Sequence, residues 1–307
     1  MITYKVNFDY EYKLYDLNSP KNINDLEYIF FLIQESPCRL LTSKKYSEEF
    51  LNIAKSVNNT EIEIVEKSDN VQNWWGKLQN IKIEREINSK INFHKILKSE
   101  DVITDVTDIN QDQKYFVQSP YLFSGIGNKI LNGNELKKNE DISQYLIRPY
   151  YKKVIDLGIK WTGPVHDLFI SVSDEKGAYK GTYINSDQVE EKLKYRIKEL
   201  ILKFKEESQK VFKIYAEKYQ ISSLQIDGFI AQKEDGYFLV LSECNYRRTM
   251  TDIIKNLRKT CSDPYAFVSL SFKNSDKLDN NSIINLSPKN SKSTLKVIER
   301  LNIKDLE

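Results

Sequence analysis

The sequence predicts a mixed α/β protein with a small open α/β unit first and antiparallel sheet in the second half. Three patterns predict it. Between residues 2 and 65, short strand-like and helix-like segments alternate in the order strand, helix, strand, helix, strand, the signature of a small open α/β unit. From residue 155 to 242, several alternating apolar segments are separated by turn residues, as in antiparallel sheet. Between them Ser186 to Tyr219 carries a helical apolar stripe on a Lys- and Glu-rich background, a solvated amphipathic helix whose stripe suits either the sheet or a dimer.

Taken in order, Ile2 to Phe8 alternates like a strand, and a helix starts near Asn24, with Asn24 or Asp25 as its N-cap. Cys38 to Leu41 reads as a short buried strand, Ser47 to Val57 as an amphipathic helix, and Glu61 to Val65 as a third strand. Asn73-Trp74-Trp75-Gly76 closes this unit, with a connector from Lys77. A helix is expected from Asn88-Ser89-Lys90 towards Leu97, and a strand at Tyr115 to Gln118 that runs into the loop Ser119 to Gly127. Leu146 to Pro149 is another strand. Ile155 to Phe169, Gly177 to Tyr183, Leu224 to Ala231 and Tyr237 to Ser242 are the antiparallel segments, the last two joined at Glu234-Asp235-Gly236. The tail after Phe272 is polar, with a last helix expected at Leu295 to Leu301.

Length and composition bound the function. The 307 residues suggest two domains of roughly 150 residues each. With 40% hydrophobic and 29% charged residues the chain can build real cores under a solvated surface. Its 46 basic and 44 acidic residues leave a net charge of +2, so it lacks the basic excess of a nucleic-acid binder. Three scattered cysteines, Cys38, Cys244 and Cys261, exclude a disulfide framework and a zinc site and fit a reducing compartment. The N-terminus has no unbroken apolar core of a leader. The apolar run Tyr28 to Ile33 is far shorter than the roughly 18 residues of a membrane span. No nucleic acid and no membrane are therefore expected as partners, and the cytoplasm is the expected location.

The chemistry concentrates at one hairpin. Asp227 lies near the end of one strand, and Glu243 and Asn245 at the end of the next. Residues two apart on a strand share a face, so Glu243 and Asn245 point together and Asp227 can reach them. Two carboxylates and an amide oxygen suit Mg²⁺, with phosphate oxygens completing its shell. Arg247 and Arg248 follow directly and offer planar donors for phosphate or carboxylate. A second signal is the loop Ser119 to Gly127, where Ser124, Gly125 and Gly127 allow backbone N–H groups close to phosphate. No Gly-Lys-Ser/Thr follows it and no third glycine completes a dinucleotide fingerprint. His94 and His166 have no partner at ligand spacing and read as structural, and alternation turns Cys244 towards the core.

In this order the pieces resemble the ATP-grasp superfamily, in particular bacterial members with a strand-plus-SGxG loop and a Glu-x-Asn-x-Arg-x-Thr-Met signature. Here that signature reads Glu243-Cys244-Asn245-Tyr246-Arg247-Arg248-Thr249-Met250, with one extra Arg. The resemblance covers about residues 88 to 250. It implies a pre-ATP-grasp-like α/β domain at 1–87, a small subdomain with the SGxG loop at 88–157 and a C-terminal subdomain with the metal site at 158–307. It further implies ATP and Mg²⁺ as cofactors, with Asp227, Glu243 and Asn245 on the metal. Ser124, Gly125 and Gly127 would lie over the phosphates, Lys90 and Gln118 on the nucleotide side, and Asp156 on the ribose. Arg247 or Arg248 would steady an acylphosphate.

The expected activity is a carboxylate ligase making an amide from a small-molecule or peptide carboxylate and an amine. The substrate is expected between the N-terminal domain and the Arg247/Arg248 turn. A nucleotide- or partner-binding protein with impaired turnover and an ATP-grasp kinase are the alternatives. Three departures from the pattern weigh on catalysis more than on fold. Gln118 stands where a Lys for ATP phosphates is usual, Arg148 where an acidic residue faces adenine, and Gln225 where an Arg precedes the metal-binding Asp. Lys114 and Lys129 are candidates for the missing charge.

Overall fold

The computed structural model describes residues 1–20, 23–99, 101–103, 106–122, 125–138, 144–234, 236–261, 263, 266–271 and 282–299. Ser124 of the SGxG loop, Asp235 of the hairpin turn, and residues 273–281 and 300–307 of the polar tail, which include 300–301 of the expected last helix, lie outside the described residues.

The N-terminal part builds a four-stranded parallel sheet. Its elements are β1 (Thr3–Lys5), α1 (Tyr10–Leu14), a 3₁₀ turn (Ile23–Tyr28), α2 (Ile29–Ile33), β2 (Cys38–Leu41), α3 (Glu48–Val57), β3 (Ile62–Val65) and β4 (Val71–Asn73). The strand order is β3-β2-β1-β4, so the chain winds outwards from β1 and then returns to its other side. α3 starts where Ser47 accepts the Phe50 amide, with Glu48 and Glu49 in its first turn, which suits the positive end of the helix dipole. Val71–Asn73, which the sequence does not mark as a strand, becomes one by pairing with Thr3–Lys5.

Two helices, α4 (Ile81–Asn88) and α5 (Lys90–Leu97), lead to the centre of the chain. The first replaces an expected connector: Asn80 caps it by accepting the Ile83 amide. Ser89 both ends α4 and caps α5. A three-stranded antiparallel sheet follows, from β5 (Lys114–Gln118), β6 (Lys129–Asn132) and, after α6 (Gly133–Lys137), β7 (Leu146–Pro149), in the order β6-β5-β7.

The rest is one eight-stranded antiparallel sheet. Its members are β8 (Lys152–Thr162), β9 (Val165–Ser173), β10 (Tyr179–Tyr183), β11 (Ser223–Lys233), β12 (Gly236–Asn245), β13 (Ala266–Ser271), β14 (Ser282–Asn285) and β15 (Thr294–Glu299), with α7 (Ser186–Lys192), α8 (Tyr195–Tyr219) and α9 (Asp252–Leu257) between them. The order is β12-β11-β8-β9-β10-β13-β15-β14. The segment read as one strand, Ile155 to Phe169, is a hairpin that turns at Gly163, whose φ is +58°. The single helix expected over Ser186 to Tyr219 is broken at Leu193, which is extended. The expected helix at Leu295 is instead β15: Leu295 and Val297 are buried at a spacing of two, paired with Leu270 and Val268. A short apolar segment takes the period of the partner it pairs with.

Two large cores hold these layers. Under the antiparallel sheet lies the stripe of α8, with Ile197, Ile201, Phe204, Val211 and Tyr215 packed on Ile226, Ile230 and Trp161, so the stripe is consumed inside the chain. The other core is continuous from Phe30 and Leu32 of α2 through Trp74 to Ile253 and Ile254 of α9 and Val268 of β13. The parallel sheet is thus packed firmly against one end of the large sheet. Phe30 is fully buried against Trp74, at 4.8 Å between ring centroids. Phe30→Ala is expected to cost about 3–5 kcal/mol. Urea unfolding followed by Trp fluorescence and by far-UV circular dichroism should give coincident transitions, because the core is shared.

Candidate functional site

Asp227 and Glu243 are a direct cross-strand pair of β11 and β12, and Gln225 pairs with Asn245 in the same register. A β-bulge follows Asp227, so Gly228 pairs with Leu241; this turns the strand ends relative to the rest of the hairpin. On the other flank Asp227 faces Gly158 of β8. A Cβ there would lie 2.9 Å from Asp227 Oδ1, so glycine leaves the carboxylate room to lie along β8.

Asp227 Oδ1 accepts from Gln225 Nε2 at 2.8 Å and Oδ2 from Asn245 Nδ2 at 2.6 Å. Giving its N–H to Asp227 leaves the Asn245 oxygen as an acceptor. Glu243 is paired with Lys90 Nζ at 3.0 Å. Burial, reinforced by the charge of Glu243, raises the Asp227 pKa to about 7. Two adjoining carboxylates of this kind favour a further cation between them. The donor set of two carboxylates and an amide oxygen fits a hard divalent ion such as Mg²⁺, with waters or phosphate completing the shell.

All three line one cavity, between the three-stranded and eight-stranded sheets. Its walls include Phe116, Pro149, Tyr150, Tyr151 and Phe229, an apolar lining with a few convergent polar groups. Gln118 and Asp156 also line it. Asp156 Oδ2 accepts from the Ser173 amide at 2.8 Å and hydroxyl at 2.6 Å, and Oδ1 pairs with Lys153 at 3.1 Å. Gly125 and Gly127 have φ of +74° and +77°, conformations that favour glycine. Gly125 lines the cavity, against the turn at Lys176.

The remaining candidates are committed to other partners or stand away from the cavity. Lys90 is buried at the base of Glu243, its ammonium also on the Leu122 carbonyl. Arg247 makes a buried ion pair with Glu11 of α1, and its guanidinium lies over Trp75 at 5.5 Å. Arg248 lies over Trp74 at 4.9 Å, and its backbone N–H donates to the Trp75 carbonyl. Lys114 and Lys129 are both exposed on β5 and β6, and neither lines the cavity. His94 is buried between the Ser99 hydroxyl and the Ser242 carbonyl, and burial lowers its pKa to about 3; it is a neutral structural histidine. The Cys244 thiol donates to the Ile87 carbonyl inside the core.

A second cavity, of about 680 Å³, opens beside the first. Its walls are the segment Val71 to Gln79 and the strand ends at Ser223, Asn245 and Arg248. It therefore runs along β4, touches β1 at Tyr4 and continues past the segment Trp74 to Gln79. Trp75, Gln225, Asn245 and Arg247 line both cavities.

Three partnerships here escaped the sequence, although Lys90 and Gln225 were themselves among the residues it marked. Glu11 and Lys90 meet partners more than a hundred residues away and leave no local pattern. Gln225 accepts the hydroxyls of Thr249 and Thr251 at 2.6 and 2.7 Å while donating to Asp227, a relay hinted at only by the Thr249-Met250-Thr251 spacing.

No protein-family model matches the chain, and no curated protein matches it in sequence. Among solved structures, N5-carboxyaminoimidazole synthetase from Staphylococcus aureus superposes with a TM-score of 0.51 at 10% identity, over 99% of this chain and 94% of that one. The chain has an ATP-grasp fold. L-amino acid ligase from Bacillus licheniformis matches more loosely, with a TM-score of 0.46 at 7% identity over 98% and 94% of the two chains. At such identities the likeness is one of architecture. The ATP-grasp fold accounts for a cavity lying between a small and a large antiparallel sheet. Among the described residues, no helix is long and apolar enough to cross a membrane.

The raised Asp227 pKa has a sign. The folded, ligand-free protein holds this proton above the unfolded value of 3.8, so the contribution is full below 3.8 and is lost as pH rises through about 7. Asp227→Asn removes that loss. Urea unfolding of both proteins without metal should show the variant gaining on the wild type between pH 3.8 and about 7, and the gap closing when Mg²⁺ is added. Glu11→Gln, which takes the buried carboxylate away from Arg247, is expected to cost about 3–5 kcal/mol, read in the same assay.

Proposed function

We propose that this protein is an ATP- and Mg²⁺-dependent ligase that joins a carboxylate to an amine. Residues 1–87 act as the preceding α/β domain, 88–157 as the small ATP-grasp subdomain and 158–307 as the subdomain that holds the metal. The observation that carries the reading is the register pair Asp227–Glu243 with Asn245 beside it, two carboxylates and an amide oxygen at the wall of a largely apolar cavity. Mg²⁺ held there would neutralise phosphate charge in transfer to the substrate carboxylate. The chain's own contribution is position and charge.

On this reading the nucleotide occupies the first cavity. Its base would lie among Phe116, Pro149 and Tyr151, Asp156 near the ribose, and the glycines of the SGxG loop over the phosphates. The carboxylate substrate occupies the second cavity, whose volume of about 680 Å³ falls in the usual range for small-molecule sites. Lys77, Arg247 and Arg248 there favour an anionic group, and Trp74 and Trp75 give it apolar walls. Because Asn245 and Arg247 line both cavities, a substrate carboxylate can approach the phosphate beside the metal. A small molecule or the end of a peptide suits this space, in a cytoplasmic setting where the three free cysteines stay reduced.

A second reading, a nucleotide- or partner-binding protein with impaired turnover, is favoured by one observation. Lys90 and Arg247 are already committed to Glu243 and Glu11, and Gln118 brings no charge. The two readings separate by experiment. Mg-ATP at a hundred times its Kd is expected to stabilise the fold by about 2.7 kcal/mol, seen as a thermal shift that Glu243→Gln abolishes. A ligase then releases ADP and an amide when offered a matching acid and amine. Binding without ADP release across a broad panel of acids and amines supports the second reading, and release of AMP rules out an acylphosphate route.

A further inference from the structure

Among the described residues, one cation lining the first cavity has no carboxylate at ion-pair distance. Among the described residues that line it, the positively charged groups are Arg148, Lys153 and Arg247. Lys153 is paired with Asp156 and Arg247 with Glu11. Arg148 has no carboxylate at ion-pair distance among the described residues, although it is only 3% exposed. Its contacts are the Leu241 carbonyl at 3.5 Å and Gln118 Oε1 at 3.4 Å, both long for hydrogen bonds and both to neutral acceptors. Burial lowers its pKa, and Asp101 and Glu243 offset this only through space.

A guanidinium so placed is a costly feature of the empty protein, since a buried charge without a partner is among the least favourable arrangements in a fold. Its position says what would balance it. Leu241, which touches it, stands two residues before Glu243 on β12, and the Glu243 charge is felt at Arg148. An anion beside the metal would therefore come within its reach. A planar fork of donors matches phosphate oxygens in pairs.

Resting on the nucleotide reading above, we propose that Arg148 is the phosphate-binding cation of this cavity, held in place by the Gln118 amide oxygen and the Leu241 carbonyl. Arg148 lies on β7 and Gln118 on β5, adjacent strands of the small sheet. The positive charge thus comes from β7, and the β5 side chain beside it serves as its acceptor. A Lys at position 118 would lie diagonally across the strands from Arg148 and repel it.

The test measures Kd for Mg-ADP by calorimetry and the melting temperature of the ligand-free protein. It compares wild type, Arg148→Gln and the double variant Gln118→Lys with Arg148→Gln. Arg148→Gln is expected to weaken Mg-ADP about 10- to 100-fold. It is also expected to raise the ligand-free melting temperature by about 2–4 °C, because it removes an unbalanced buried charge. The double variant, with its cation moved one strand over, is expected to recover at least half of that loss on a logarithmic scale. A wild type that does not bind Mg-ADP defeats the nucleotide reading itself. If the wild type binds, an Arg148→Gln affinity within twofold overturns the assignment of Arg148. A lower melting temperature, or failure to fold, marks a structural arginine and overturns it too. So does a double variant no better than the single one, because the charge would then not be the active feature.

Discussion

Two carboxylates forced side by side on paired strands set the chemistry of this molecule. The β11–β12 register places Asp227 against Glu243, and once that pairing exists the surroundings must answer the charge. Lys90 answers part of it from α5, Gln225 and Asn245 hold Asp227 by its two oxygens, and Gly158 leaves space on the third strand. What remains is a site where burial and repulsion hold Asp227 near neutrality. On the proposed reading a divalent ion would relieve this repulsion, and the fold would respond to what occupies the cavity.

Much of this was legible in the sequence, for a local reason. The spacing of Glu243 and Asn245 and the position of Asp227 across a hairpin are properties of neighbouring strands, and strand geometry alone puts them on one face. The small open unit and the antiparallel second half were legible through period. The far edge of the large sheet was not: β15 pairs with β13 along Ala266 to Ser271, and pairing partners are not written in the segment itself. Leu295 and Ile298 fit a helical stripe as well as a strand until the partner is known. Arg247 read as a free phosphate donor because Glu11 lies on α1, far back along the chain, and Lys90 likewise because Glu243 is far along the chain.

The departure at Gln225 makes physical sense in place. A glutamine accepts at one end and donates at the other. Here Oε1 takes the hydroxyls of Thr249 and Thr251 while Nε2 donates to Asp227. An arginine could supply charge but no acceptor, and would leave two buried threonine hydroxyls competing for other partners. Asp252 completes the turn by accepting the Thr249 amide and pairing with Lys160. The turn after β12 is therefore locked to the residue that orients Asp227, so the walls of the two cavities cannot shift independently at this point.

The wall shared with the N-terminal sheet is equally rigid. Asn7 accepts the Trp75 amide and donates to the Gly76 carbonyl. Glu84 is buried yet satisfied by the amides of Leu78, Gln79 and Asn80 and the Tyr10 hydroxyl. Arg248 reaches back to the Trp75 carbonyl and Asn88 takes the Tyr246 amide. A segment held at this many points presents its backbone and its two tryptophans in one arrangement, so ordering it costs little when a ligand arrives. If the second cavity receives the carboxylate, selectivity then rests on a preformed surface: two tryptophan rings with an arginine over each, and main-chain groups whose directions are set before binding. On the proposed reading a change of substrate would require a change in residues 71 to 79 rather than at Asp227, Glu243 and Asn245, which would keep the phosphate chemistry and the choice of acid on separate parts of the chain.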